Sequence, residues 1–241
     1  MIFTDGRAAL IDQLNAYTPF NEQEARDREL ILALLNTSPT AFCRENRLAH
    51  MTASAWVTNA ARDRVLMAYH NIYKSWSWLG GHADGETDLL AVALREVREE
   101  SGVRAVRPLL GTPFSLESLT VDGHIKHGQY VSSHLHLNVT YLLEADDHEG
   151  TASKPDENSA VAWFPLDEAV SASCEPWFPR ADLQQAERKA SQPIKQKSSL
   201  AAAFLMLTSR YVPIRIACAL LGFPPTAFPP FPASRRRSDR T

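Results

Sequence analysis

The sequence predicts a mixed α/β sandwich with a helical extension ahead of it and an irregular tail behind. Three observations point there. Helical periodicity is confined to the first forty residues and one later segment, short apolar runs with strand chemistry lie on both sides of that segment, and the end is rich in Pro and Arg without periodicity. The boundaries read as residues 1–44 for the extension, 45–176 for the sandwich domain and 177–241 for the tail, which is expected to be poorly ordered.

Arg7–Tyr17 reads as a short helix. Asn21 followed by Glu24 is placed as an N-cap with its partner three residues on, and Leu30, Ile31, Leu34 and Leu35 recur behind it at helical spacing. From Met51 the grammar changes: Ala55-Trp56-Val57, Arg64–His70 and Trp76–Leu79 are short apolar or aromatic runs between polar turns, which is strand chemistry. Gly80, Gly81 and Gly85 break the chain. Asp88–Ser101 then reads as a buried amphipathic helix, with Leu89, Leu90, Val92, Ala93, Leu94 and Val97 on one broad face. Strands resume at Ala105–Leu110, Ser115–Val121 and His134–Glu144. The last alternates, with Leu135, Leu137, Val139 and Tyr141 on one side and His134, His136, Asn138 and Thr140 on the other. A polar loop, a strand over Val161–Phe164 and a short helix from Leu166 complete the domain. Seven of the 15 prolines lie after residue 190, which argues against a regular helix or central strand there.

A chain that is 44% hydrophobic and 22% charged is not disordered or fibrous as a whole. The net charge of −3 conceals a division: residues 191–241 hold eight bases and one acid, so a +7 tail leaves −10 for the rest. Arg235–Arg237 have no interleaved aromatics and read as a solvated terminus, so nucleic acid is not an expected partner. The most apolar stretch, Ser198–Phe223, is interrupted by Arg210, Pro213 and Arg215 and is not expected to span a membrane. Cys43, Cys174 and Cys218 are odd in number and form no C-x-x-C pair, and the amino terminus carries no signal-peptide pattern; the expected location is a reducing cytoplasm.

Chemistry concentrates in Gly80–Val103, GGHADGETDLLAVALREVREESGV. Glu96, Glu99 and Glu100 stand at i, i+3 and i+4 and share one helix face. Three like charges there repel unless water solvates them or a hard divalent cation sits among their oxygens, and the spacing admits both. The glycines ahead of the helix allow a carbonyl or amide to reach the same ion or a phosphate. Such an arrangement suits phosphate chemistry, because a metal neutralises phosphoryl oxygens and lowers the pKa of bound water.

The same window resembles the Nudix box: Gly, five residues, Glu, seven residues, Arg-Glu-apolar-x-Glu-Glu-x-Gly-apolar. Gly81, Arg95, Glu96, Val97, Glu99, Glu100, Gly102 and Val103 match in register. Thr87 departs, standing where the pattern has a Glu that supports the box arginine. A bend that lets Glu86 or Asp88 take over the support of Arg95 is expected instead. The resemblance runs over about Glu45–Glu168, through WSWLGGHADG, SSHLHLNVTYLLEAD and ENSAVAWFPLDEA, and is similar to a bacterial subgroup with a helical amino-terminal extension.

The resemblance implies an α/β/α sandwich that hydrolyses a phosphoanhydride in a nucleoside diphosphate linked to another moiety, with Mg2+ or Mn2+ as cofactor. By position it implies Glu96, Glu99, Glu100 and the Gly80 carbonyl as metal ligands. Glu96, Glu99 and Arg95 form the catalytic set, with Glu96 orienting or deprotonating water. Glu157 is the candidate for a further carboxylate from a loop. His82, next to the glycine pair, and His136, on the polar strand face, are candidates for contact with substrate. The expected partner is a small-molecule nucleoside diphosphate derivative, with a homodimer admitted and no membrane. Two other readings stand beside this one. An isopentenyl-diphosphate isomerase-like enzyme needs a cysteine in the cleft, and Cys43 and Cys174 lie away from the box; a non-enzymatic nucleotide-sensing module usually has a degraded triad, and here it is whole. Signatures of the CoA, NADH and ADP-ribose branches are absent, which leaves the substrate open.

Overall fold

The structure, a computed structural model, describes residues 5–72, 74–126 and 128–173. The expected tail over 177–241, together with Cys174 and Cys218, lies outside these residues.

Helix α1 spans Asp5–Ala16 and α2 spans Glu22–Thr37. Asn21 caps α2 as read, its Oδ1 accepting from the Glu24 amide at 2.8 Å. Glu24 does more than complete a cap. Its buried carboxylate accepts from the Phe20 amide, from the Tyr17 hydroxyl at 2.5 Å and from the Leu116 amide at 3.1 Å, which stitches the extension to a strand 92 residues away. At the other end of α2, Arg7 donates to the carbonyls of Leu35, Ser38 and Pro39 at 3.3, 2.8 and 3.0 Å. A guanidinium suits that end, where unpaired carbonyls collect negative charge. Ile31 and Leu35 are wholly buried in the same apolar cluster as the sheet.

The strands are β1 (Ala49–Thr58), β2 (Arg64–His70), β3 (Ser75–Ser77), β4 (Leu79–His82), β5 (Val106–Pro108), β6 (Ser115–Val121), β7 (His124–Lys126), β8 (Gln129–Val131), β9 (His134–Ala145) and β10 (Asn158–Pro165). Helix α3 covers Leu89–Ser101 and α4 covers Leu166–Ala172. Eight strands form one sheet in the order β10-β2-β1-β9-β5, with β3 on β2, β4 on β1 and β6 on β9. β1 and β9 run parallel over ten residues, from Ala49 opposite Leu135 to Thr58 opposite Glu144. The other pairs are antiparallel, so the sheet is mixed as expected. One face of β1 and β9 (Met51, Ala53, Ala55 and Val57; Leu137, Val139, Tyr141 and Leu143) packs with Leu89, Val92, Ala93 and Val97 of α3.

Three details differ from the expectation. The run Trp76–Leu79 is divided at Trp78, so that β3 pairs with β2 and β4 with β1. A hairpin of β7 and β8 fills a segment to which the sequence assigns no element. The polar side of β9 is interior: Asn138 accepts from Thr52 at 2.9 Å and Ser54 at 3.0 Å, and donates to the Glu117 carboxylate at 2.9 Å, which also accepts from Thr140 at 2.9 Å. Among the described residues no helix is long and apolar enough to cross a membrane.

Candidate active site

Asp88 starts α3 by accepting the Ala91 amide at 3.0 Å. Gly102 ends it at φ 73°, the left-handed conformation that glycine adopts without a Cβ penalty, with its amide bonded to the Arg98 carbonyl at 3.0 Å. Between these ends Glu96 and Glu100 are buried along with the apolar residues, while the Glu99 side chain is about half exposed at 48%. A solvated acidic face would expose all three.

The glycine pair explains the burial. The Gly80 amide donates to Glu100 Oε2 at 2.9 Å. A Cβ on Gly81 would stand 2.6 Å from Glu96 Cδ, so the missing side chain is what admits that carboxylate. Arg95 Nη2 donates to Glu96 Oε1 at 3.0 Å, and its Nε lies 3.9 Å from Glu99 Oε1. Lys154 Nζ lies 3.5 Å from Glu99 and 3.1 Å from Glu157, which brings Glu157 to the edge of the group. The Asn158 side chain, next to Glu157, donates to the Glu100 carbonyl at 3.0 Å and anchors this loop to α3.

Burial pushes Glu100 up to about 8, and the Gly80 amide opposes that only in part; Glu96 and Glu157 add to the rise. Burial raises Glu96 as well, against the opposing pull of Arg95. Carboxylates whose charge is this poorly compensated favour a cation among them. An all-oxygen donor set of carboxylates beside a glycine backbone fits a hard divalent ion such as Mg2+ or Mn2+.

The expected replacement for the missing Glu at position 87 is not made. Glu86 accepts the amides of Thr87 and Asp88 at 2.7 and 2.9 Å, and Asp88 caps the helix, so both are turned to backbone at the helix start. Arg95 is held by Glu96 and Glu99 instead. Thr87 packs against α1: a Cβ on Gly6 would stand 2.9 Å from Thr87 Cβ, so a small residue at 87 is what lets α1 seat there.

His82 and His136 are brought together, but on the face of the sheet turned away from α3. Successive residues of β4 alternate, so Gly81 faces Glu96 while Gly80 and His82 face the Ser54 side. There they meet His50 and His134, with ring centroids 4.8 Å apart for His82–His136 and 4.9 Å for His50–His136. Sequence reasoning missed His50. The parallel register that sets His50 opposite His136 is its only signal.

A protein-family model described as NUDIX domain matches residues 48–195. Over 115 residues the chain is 31% identical to the bis(5'-nucleosyl)-tetraphosphatase (asymmetrical) of Sus scrofa, a match that covers 47% of this chain and 71% of that protein. Among solved structures it is similar to a NUDIX-family hydrolase from Clostridium perfringens, with a TM-score of 0.43 and 18% identity over 58% of this chain and 96% of that one. A C. elegans Ap4A hydrolase in a binary complex gives a TM-score of 0.42 and 16% identity over 58% of this chain and 95% of that one.

Proposed function

The chain belongs to the Nudix family as a hydrolase of pyrophosphate bonds, and on that premise we propose that it uses Mg2+ or Mn2+ to cleave a phosphoanhydride in a nucleoside diphosphate or longer polyphosphate linked to a second moiety. Dinucleoside polyphosphates, on which the porcine relative acts by name, are the first class to test. The activity is assigned to residues 45–176, with 1–44 as an extension that packs on the sheet.

The observation that carries this reading is that Glu96, Glu99 and Glu100 stand at i, i+3 and i+4 of α3, with Glu96 and Glu100 buried against the Gly80–Gly81 backbone and Arg95 reaching both Glu96 and Glu99. A bound divalent ion supplies charge neutralisation at phosphoryl oxygens and acidifies a coordinated water. The three carboxylates and the Gly80 carbonyl would hold that ion. Glu96, whose proton affinity burial raises, is the group to orient or deprotonate the attacking water. Arg95 fixes the Glu96 carboxylate for that task. Lys154 and Glu157 bound the site on the loop side, where the substrate's phosphate chain would enter.

The test is hydrolysis of a panel of dinucleoside polyphosphates, nucleoside di- and triphosphates, ADP-ribose, NADH and CoA, with product identification. Cleavage that requires Mg2+ or Mn2+ is expected. Glu99→Gln or Glu100→Gln should lower kcat by about two to three orders of magnitude, the scale on which one charge-stabilising group acts. The melting temperature should hardly move, because each change keeps the shape of the side chain. Folded protein that leaves the whole panel intact with either metal overturns the proposal.

A further inference from the structure

We propose that His50, His82, His134 and His136 form a binding site for a first-row divalent transition-metal ion of the zinc type, separate from the carboxylate group on α3. Three of these residues, His50, His82 and His136, each offer a ring nitrogen within 4.8 Å of the others'. His134 Nε2 lies 3.2 Å from His136 Nε2, a hydrogen bond in which His136 donates and which a bound ion would replace. Imidazole nitrogens bound at about 2.0 to 2.1 Å around a tetrahedral ion stand about 3.3 Å apart. The His134–His136 pair stands near that spacing, and the nitrogens of His50, His82 and His136 would have to draw closer from within 4.8 Å for an ion to be held.

The orientation of the rings is the stronger observation. His50 Nδ1 lies 3.0 Å from the Asn46 carbonyl oxygen, and His134 Nδ1 lies 2.8 Å from the Ser132 carbonyl oxygen. A carbonyl only accepts, so Nδ1 carries the proton in both rings and Nε2 presents its lone pair. This is the outer-shell arrangement that fixes metal-binding imidazoles, with the distal N–H given to a backbone carbonyl. His50 is 3% exposed, and its Nε2 is buried without a hydrogen-bond partner. A buried acceptor left unpaired is rare in a merely structural histidine. Here it belongs to a ring stacked on His134 at 5.0 Å and beside His136 at 4.9 Å.

The donors select the ion. Four imidazoles without a carboxylate suit Zn2+, Cu2+, Ni2+ or Fe2+ and disfavour Mg2+. The ion would join β1, β4 and β9, which meet side by side at this point. The proposal does not depend on the reading of the carboxylate site, since no residue is shared.

The experiment uses the untagged full chain, stripped with chelator and kept in saturating Mg2+ so that the carboxylate site does not take the probe. Co2+ is titrated by visible absorption, which is intense in tetrahedral nitrogen coordination and weak among oxygens. One equivalent should develop the intense band. His50→Ala or His136→Ala should weaken Co2+ binding by about 100-fold or more, beyond the 10- to 100-fold that outer-shell partners carry, while Glu99→Gln and Glu100→Gln should leave it unchanged. Absence of the band, its persistence in the histidine variants, or its loss in the glutamate variants would overturn the proposal. X-ray absorption of the Zn2+-loaded wild-type chain decides independently of how the variants fold: three or four imidazole nitrogens at about 2.0 to 2.1 Å support the site, and an oxygen-dominated shell refutes it.

Discussion

Adding one methyl group to either of two adjacent glycines should affect stability very differently. The three atoms nearest to a Cβ on Gly81 all belong to Glu96, at 2.6 Å for Cδ and 2.8 and 2.9 Å for the two carboxylate oxygens. A carbon–carbon contact tolerates about 3.5 Å at closest, so in Gly81→Ala the Glu96 carboxylate must retreat by about 0.9 Å. The end of a side chain can make that movement without disturbing the backbone, and replacing Gly by Ala itself favours the folded chain by about 0.4 to 1 kcal/mol. The fold should therefore be nearly unaffected. A displacement of about 1 Å at a reacting group costs about 100-fold in rate, and kcat should fall by that factor. A Cβ on Gly80 instead meets the Ala53 carbonyl oxygen at 2.5 Å and Ser54 Cα at 2.8 Å, both backbone atoms of the paired strand. Overpacking of this kind costs about 1 to 3 kcal/mol, or about 2 to 12 °C in melting temperature for a chain of this size. Steady-state hydrolysis with Mg2+ and scanning calorimetry on the two variants are the assays. Wild-type kcat in Gly81→Ala, or equal losses of stability in both, would refute the assignment of the two glycines to different neighbours.

Three further outcomes follow from buried polar groups and from the extension. Burial raises Glu117 from 4.5 to about 7, so between those values the native state binds the proton that the unfolded chain releases. That stabilisation is complete below pH 4.5 and is lost as pH rises through about 7, with an amplitude of about 3 kcal/mol; Glu117→Gln should flatten urea-measured stability across this window. Arg7→Ala removes a charged donor from three carbonyls at the end of α2 and should cost about 2 to 3 kcal/mol in chemical denaturation, with Arg7→Lys recovering only part because it lacks the planar fork. Thr87→Glu restores the family pattern in sequence but pushes a long side chain toward Gly6. Hydrogen exchange in α1 should accelerate, and kcat should not rise, because Arg95 is already held by Glu96 and Glu99.

The parts of the molecule that could be read in the chain are those whose geometry is local. The spacing of Glu96, Glu99 and Glu100 lies within one helix and appears as read. The hairpin of β7 and β8 was invisible because Ile125 and Tyr130 remain 68% and 70% exposed, so no buried face imposes an alternation. Glu24 was legible only as the partner of the Asn21 cap, and the burial of Glu24 and Glu117 was not, because their hydrogen-bond partners lie as far as 92 residues away. Position 87 shows the same limit from the other side: its departure from the pattern is a contact with Gly6, which no neighbouring residue announces. The histidines carry the argument furthest. Gly80, Gly81 and His82 are consecutive, and along the chain they look like parts of one site. In β4 they alternate between faces, so one step of the pleat separates the carboxylates on α3 from a four-histidine group that exists only because β1 and β9 run parallel in one register. A one-residue slip of β9 against β1 would leave Glu96, Glu99 and Glu100 where they are and disperse the histidines. Local spacing can therefore encode the first group and has no means of encoding the second.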